Sequence, residues 1–193
     1  MAWSYDAVAW LVSLGRWRSW VNSVLPELSQ TGRVLELGHG PGHLQVAMRI
    51  AGITPFGIDL SAQMGQLAGR RLRAAGQQPL LVRADGRWLP FRAGAFEHIV
   101  ATFPTEYILQ ASTLGEARRT LAAGGSLILL PVAWITGGDW LSRAAAWLFH
   151  ITGQAGAWDG RFSAAIRQHG FDVHEKRVTL PGSEAMLLVC TPQ

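Results

Sequence analysis

The chain is 193 residues long, 49% hydrophobic and 16% charged, with a formal net charge of +4 and an isoelectric point near 10.2. That apolar content excludes a disordered chain and suits a single domain, 1–193, with a deep core. The one cysteine, Cys190, excludes an internal disulfide and a multi-cysteine metal site, and the positive excess, almost wholly arginine, forms no single stripe that would track nucleic acid.

In chain order, Trp3, Ala7, Trp10, Leu14, Trp17, Val21 and Val24 recur at alternating spacings of four and three. This pattern predicts an aromatic-rich stripe along a helix or a broken pair of helices, ending near Pro26 and Gly32. Two readings stand for residues 1–30: a helical lid packed on the domain, or a face that lies on a membrane surface. No basic residue precedes the first apolar stretch, so the start does not read as a signal peptide. The expected location is cytoplasmic, with peripheral contact at the inner membrane face as the second reading.

An apolar run at 34–37 predicts the first strand, 44–51 its helix and 55–59 the second strand. Ser61 is placed to cap a helix over 62–75, with Arg70, Arg71 and Arg73 near its end, where positive charge suits the helix dipole. Strands follow at 80–83, 95–103 and 126–132, with a helix over 114–121 between the last two. Strands alternating with helices argue for an α/β fold, a parallel sheet covered on both faces. Residues 133–160, with Trp134, Trp140, Trp147 and Trp158, predict a helical insertion. A helix at 162–168 and strands at 171–177 and 185–190, turning at Pro181-Gly182, close the chain as an antiparallel pair.

The chemistry concentrates in Glu36-Leu-Gly-His-Gly-Pro-Gly42, where a buried strand empties into a glycine-rich turn at a helix start. Such a turn lets backbone approach a ligand closely and offers it free N–H groups. Glu36 lies within the strand, where a carboxylate needs a partner, and Asp59 follows about 20 residues later, where an acid can hold ribose hydroxyls. Together with Gly57-Ile-Asp-Leu-Ser61, Ala84-Asp-Gly-Arg-Trp-Leu-Pro-Phe91 and Leu121-Ala-Ala-Gly-Gly-Ser-Leu127, the chain resembles class I S-adenosylmethionine-dependent methyltransferases. Within that class it is most similar to the ubiquinone/menaquinone-methyltransferase-like (type 11) branch, over about half of its length.

The resemblance implies a Rossmann-like sheet of seven mostly parallel strands, with helices on both faces and the antiparallel last strand between the fifth and sixth. The N-terminal helix and the insertion after strand 5 are additions to that core of 33–132, and 161–193 supplies the terminal helix and hairpin. It implies S-adenosylmethionine as cofactor, released as S-adenosylhomocysteine. Gly38, His39, Gly40 and Gly42 would lie along its amino-acid part, ordered by Glu36. Asp59 would accept the ribose hydroxyls, Leu60 and Met64 would flank the adenine, and Asp85 and Gly86 would bond its edge. Thr102 and Phe103 would face the meeting place of cofactor and acceptor. His39 and Pro41 depart from the small or hydroxylated residues usual in the loop, and Glu97 stands where this branch has aspartate. Phe103-Pro-Thr-Glu-Tyr107 replaces a loop that carries a polar acceptor-orienting residue in many relatives.

Methyl transfer rests on alignment more than on acid–base chemistry, so a shaped pocket without a triad fits it. Glu106, Tyr107 and His150 are the candidate catalytic, acceptor-facing residues. Glu106 either orients or deprotonates an acceptor or pairs with an arginine, and a core or surface role stands beside catalysis for His150. His39 and His43 are four apart, but Pro41 and Gly42 spoil the helix face and no acidic third ligand is at hand, so no metal is expected. The tryptophan-rich elements are placed to roof the cleft, which favours a small hydrophobic or aromatic acceptor, quinone-like or lipid-like, over nucleic acid. Nothing in the sequence selects an oligomeric state. A nicotinamide-dependent oxidoreductase is the first rival, opposed by Asp85-Gly86 and the closing hairpin. The second is a non-catalytic cofactor-binding or membrane- or partner-binding module.

Overall fold

The computed structural model of the chain describes residues 16–29, 32–136 and 160–193. Its elements are α1 (Trp17–Asn22), β1 (Arg33–Leu37), α2 (His43–Ile50), β2 (Thr54–Asp59), α3 (Ala62–Ala74), β3 (Leu81–Arg83), β4 (Phe96–Thr102), α4 (Ala111–Thr120), β5 (Leu121–Ile135), α5 (Arg161–Gln168), β6 (Phe171–Leu180) and β7 (Ser183–Pro192). Short 3-10 turns lie at Leu25–Glu27 and Glu106–Leu109. The seven strands form one sheet in the order β3-β2-β1-β4-β5-β7-β6. Parallel pairing runs from β3 to β5, and β7 lies antiparallel between β5 and β6. The Rossmann-like arrangement expected from the resemblance is present.

Strand periodicity divides the core. Side chains alternate across a sheet, so Leu35 and Leu37 of β1 join Ile99, Leu127 and Leu129 in one buried cluster, which also takes Leu114 of α4 and Ile166 of α5. Val34, Val100, Ile128 and Leu187 point the other way, onto Leu44 and Met48 of α2 and Trp20 and Val21 of α1. Both faces are therefore apolar, which a central parallel sheet requires. Glu36 shares the parity of Val34, so it is directed at α2.

Several boundaries differ from those expected. β5 begins at Leu121 rather than 126, because Leu121 already pairs with Phe96 and Ser126 with His98, and the intervening Gly124 and Gly125 are absorbed in an irregular register. α4 begins at Ala111, directly after the 3-10 turn, and β6 runs on to Leu180 through its pairing with β7. Ser61 does cap α3, its hydroxyl accepting the Met64 N–H at 3.3 Å.

Of the N-terminal stripe, Val21 and Val24 are buried and Trp17 is half-buried. Trp20, which the stripe omitted, is fully buried. The expected helical insertion at 133–160 is corrected at its start, because residues 133–135, with Trp134, continue β5 in its pairing with β7. Trp3, Trp10, Trp140, Trp147, Trp158 and His150 lie outside the described residues. No described helix is long and apolar enough to cross a membrane.

Candidate functional site

The chain runs from β1 outward to β2 and β3, then returns to place β4 on the other side of β1. At that reversal the strand C-termini diverge and leave a crevice, the usual ligand site of an open α/β sheet. Here it is a cleft of about 560 Å³ lined by the loops after β1 to β4.

Its floor is the glycine turn. The Gly38 and His39 N–H groups both donate to the Ile58 carbonyl, at 2.9 and 3.0 Å, which ties the turn to β2. Gly40 has a φ of +51°, and a Cβ there would project into open space. The backbone at this point is thus bare toward the cleft. Gly42 is glycine for another reason. It caps α2 with a φ of +82°, and a Cβ on it would stand 2.7 Å from that of Ala68. It draws α2 and α3 together and does not line the cleft. From α3, Arg71 donates to the Pro41 carbonyl and so tethers the turn from outside. Arg71 therefore holds the loop, a task beyond the dipole role read from sequence.

Asp59 ends β2 at the cleft edge. Its Oδ2 accepts the Gly40 N–H at 2.9 Å and its Oδ1 the Ser61 N–H at 2.8 Å. Each oxygen retains acceptor capacity for a ligand hydroxyl. Glu36 is almost fully buried and accepts from Gln45 Nε2 at 2.8 Å. Burial pushes its carboxyl up to about 8 against the Gln45 hydrogen bond, with the Asp59 charge adding to the rise. Gln45 was missed from sequence, although a polar residue between Leu44 and Met48 on the inward face of a helix is a signal worth following.

His39 turns away from the cleft. Its Nδ1–H donates to the Gly40 carbonyl at 2.7 Å, burial lowers its pKa, and the ring joins Arg73 and Arg83 along a second depression of about 460 Å³. Its expected place along the cofactor is corrected accordingly.

The far wall comes from β3 and β4. Asp85 is held by Arg87, whose Nη2 lies 2.6 Å from Oδ2, and that hydrogen-bonded guanidinium keeps the carboxyl below the usual range. Leu60, Met64, Gly86, Thr102 and Phe103 line the cleft. So does Tyr107, whose ring lies against Gly86 and whose hydroxyl is over Gly38. Burial and the charges of Asp59, Glu36 and Asp85 push its pKa upward. Glu106 is exposed and outside the cleft, because the 3-10 turn that carries Tyr107 inward carries its neighbour outward. Glu97, at the other end of the sheet, accepts the Arg33 N–H at 2.6 Å, a structural role. Among the described residues no group of three or more His, Cys, Asp or Glu is placed to hold a metal.

These groups fit S-adenosylmethionine. The bare turn offers close backbone approach, Asp59 offers carboxylate oxygens, and the cleft carries apolar residues at both ends. A family model for a methyltransferase domain matches residues 34–125. The demethylmenaquinone methyltransferase of Thermus thermophilus is 33% identical over 132 residues, 65% of this chain and 60% of that protein. Over this stretch the chain is similar to class I S-adenosylmethionine-dependent methyltransferases.

A ubiquinone/menaquinone biosynthesis C-methyltransferase of Geotalea daltonii is 31% identical over 65% of the chain and 57% of its own length. The chain thus matches about 60% of the length of these curated relatives. A geranyl diphosphate C-methyltransferase of Streptomyces coelicolor, solved with Mg2+, geranyl diphosphate and S-adenosyl-L-homocysteine, superposes with a TM-score of 0.64 at 16% identity, over 91% of this chain and 79% of that one. That likeness is one of fold.

Proposed function

We propose that the chain is an S-adenosylmethionine-dependent methyltransferase acting on a small hydrophobic or aromatic acceptor, quinone-like or lipid-like. The observation that carries the reading is the Gly40–Asp59 arrangement, in which a bare, left-handed turn and a carboxylate are locked together at the sheet's switch point. When bound, the cofactor supplies an electrophilic methyl on a sulfonium and is released as S-adenosylhomocysteine. The glycine turn would seat its amino-acid end, with the Glu36–Gln45 pair behind it. Asp59 would hold the ribose, while Leu60, Met64 and Gly86 would enclose the adenine with Asp85. Thr102, Phe103 and Pro104 border the side from which an acceptor would enter. Phe103 is backed by Trp17, which gives that border an apolar character. The relatives named for quinone substrates support the same acceptor class.

A second reading, a non-catalytic binding module on the same fold, draws on the position of Glu106. With that carboxylate turned outward, no described residue presents an unpaired carboxylate as a base on the acceptor side of the cleft. Titration calorimetry with S-adenosylhomocysteine, with NAD as control, tests the cofactor assignment. Micromolar binding of the first and none of the second is expected, and Asp59→Asn, which keeps one acceptor oxygen for its backbone partners, should lose that binding while remaining folded. Wild-type affinity in the variant would overturn the role of Asp59. Turnover of S-adenosylmethionine with simple quinols then separates enzyme from module.

A further inference from the structure

We propose that the Tyr107 side chain and the cofactor use the same glycine surface in turn, so that cofactor binding swings the phenol off Gly38 and Gly86 and into the wall of the acceptor site. This rests on the cofactor reading above, and it makes binding ordered, cofactor first.

The first observation is steric. A Cβ built on Gly38 would stand 3.0 Å from the Tyr107 hydroxyl oxygen, and one on Gly86 would stand 3.2 Å from Tyr107 Cε2. Non-bonded heavy atoms settle at roughly 3.5–4.0 Å. No ligand atom can pass between the phenol and either glycine. Both glycines are places where the cofactor reading requires close backbone approach, so the two occupants exclude each other.

The second observation is the weakness of the phenol's hold. Among the described residues its hydroxyl makes no hydrogen bond, although it sits within the field of Glu36, Asp59 and Asp85. The residue is only half-buried at the cleft, and no protein hydrogen bond has to be broken when the phenol moves. Ring contact alone keeps it in place.

The third observation limits the motion to the side chain. Ile108 is fully buried beside it, the Ile108 N–H donates to Thr105 O at 3.2 Å, and the Gln110 N–H donates to Tyr107 O at 3.2 Å. With the backbone fixed, the phenol can leave only by rotating about its own torsions. Rotation carries it along the cleft toward Phe103 and Pro104, the side assigned to the acceptor.

The chain has two tyrosines, Tyr5 and Tyr107. In a Tyr5→Phe chain grown with 3-fluorotyrosine, one fluorine resonance therefore reports Tyr107. Titration with S-adenosylhomocysteine should move that resonance toward its solvent-exposed position, in step with calorimetric saturation. Tyr107→Ala should bind S-adenosylhomocysteine about threefold to tenfold more tightly, chiefly through a faster association rate. A resonance that stays put while ligand binds, or a Tyr107→Ala variant that binds tenfold more weakly, would make the phenol a fixed part of the cofactor pocket and overturn the proposal. The fluorine measurement decides the matter even where the alanine variant fails to fold. If the wild-type chain binds no S-adenosylhomocysteine, the cofactor reading fails and takes this inference with it. If it binds and Tyr107 does not respond, only the inference falls.

Discussion

Trp17 and Phe103 stack with ring centroids 4.4 Å apart and planes 24° from parallel, joining the first described helix to the end of β4. Phe103 is the one non-glycine with positive φ among the described residues, at +48°, and its N–H donates to Leu130 O at 2.7 Å. A side chain in that backbone region is strained, and the stack, with Trp20 tilted at 6.2 Å, offsets the cost. Trp17→Ala should lower stability by about 2–3 kcal/mol and the melting temperature by about 4–12 °C. Trp17→Phe, which keeps a ring there, should lose less than half of that. Phe103→Gly should be more stable than Phe103→Ala by about 1 kcal/mol, since both lose the stack but only alanine keeps the strain. Thermal unfolding of the four variants checks the order.

Glu36 gives a pH dependence with a definite sign. Its carboxyl rises from 4.5 to about 8 on folding, so between those values the folded chain binds more protons than the unfolded one. Stability from this group is fully present below about 4.5 and is lost as pH rises toward about 8. Glu36→Gln should flatten that decline, and the difference in melting temperature between variant and wild type should grow from pH 5 to pH 8. A constant difference would mean that Glu36 stays ionised. The same variant should bind S-adenosylhomocysteine about tenfold more weakly if the ligand's ammonium end ionises Glu36 on binding and is ordered by it, a loss of about 1.4 kcal/mol.

Gly40 and Gly42 should separate function from stability. Gly42→Ala meets both a left-handed backbone and the Ala68 Cβ at 2.7 Å. It should cost about 3 kcal/mol, seen in chemical denaturation. Gly40→Ala has the backbone cost alone, about 1–2 kcal/mol, but its methyl enters the cleft. Its loss of S-adenosylhomocysteine binding should exceed tenfold at temperatures where it is fully folded.

Arg71 tests whether the glycine turn is held from outside. Arg71→Ala should weaken S-adenosylhomocysteine binding about threefold to tenfold through a looser Pro41, although Arg71 does not line the cleft. Unchanged affinity would mean that the two bonds to Ile58 O suffice to shape the turn.

The sequence alone determined the order of strands and helices, the Ser61 cap, the glycine turn and the acids at 36, 59 and 85. These are local patterns: apolar runs of strand length, a hydroxyl before a helix and glycines where backbone must turn sharply. The family resemblance then set the sheet order, because the same motifs at the same spacings imply the same switch point. Only the tertiary structure decided what faces what. His39 and Glu106 each sit beside a residue that lines the cleft, yet adjacent side chains leave a turn in different directions, and nothing in residue type says which goes inward. Gln45 meets Glu36, Arg71 meets Pro41 and Trp17 meets Phe103 across sequence separations that no periodicity encodes. Those partners follow from strand parity and helix packing, which exist only once both faces of the sheet are covered.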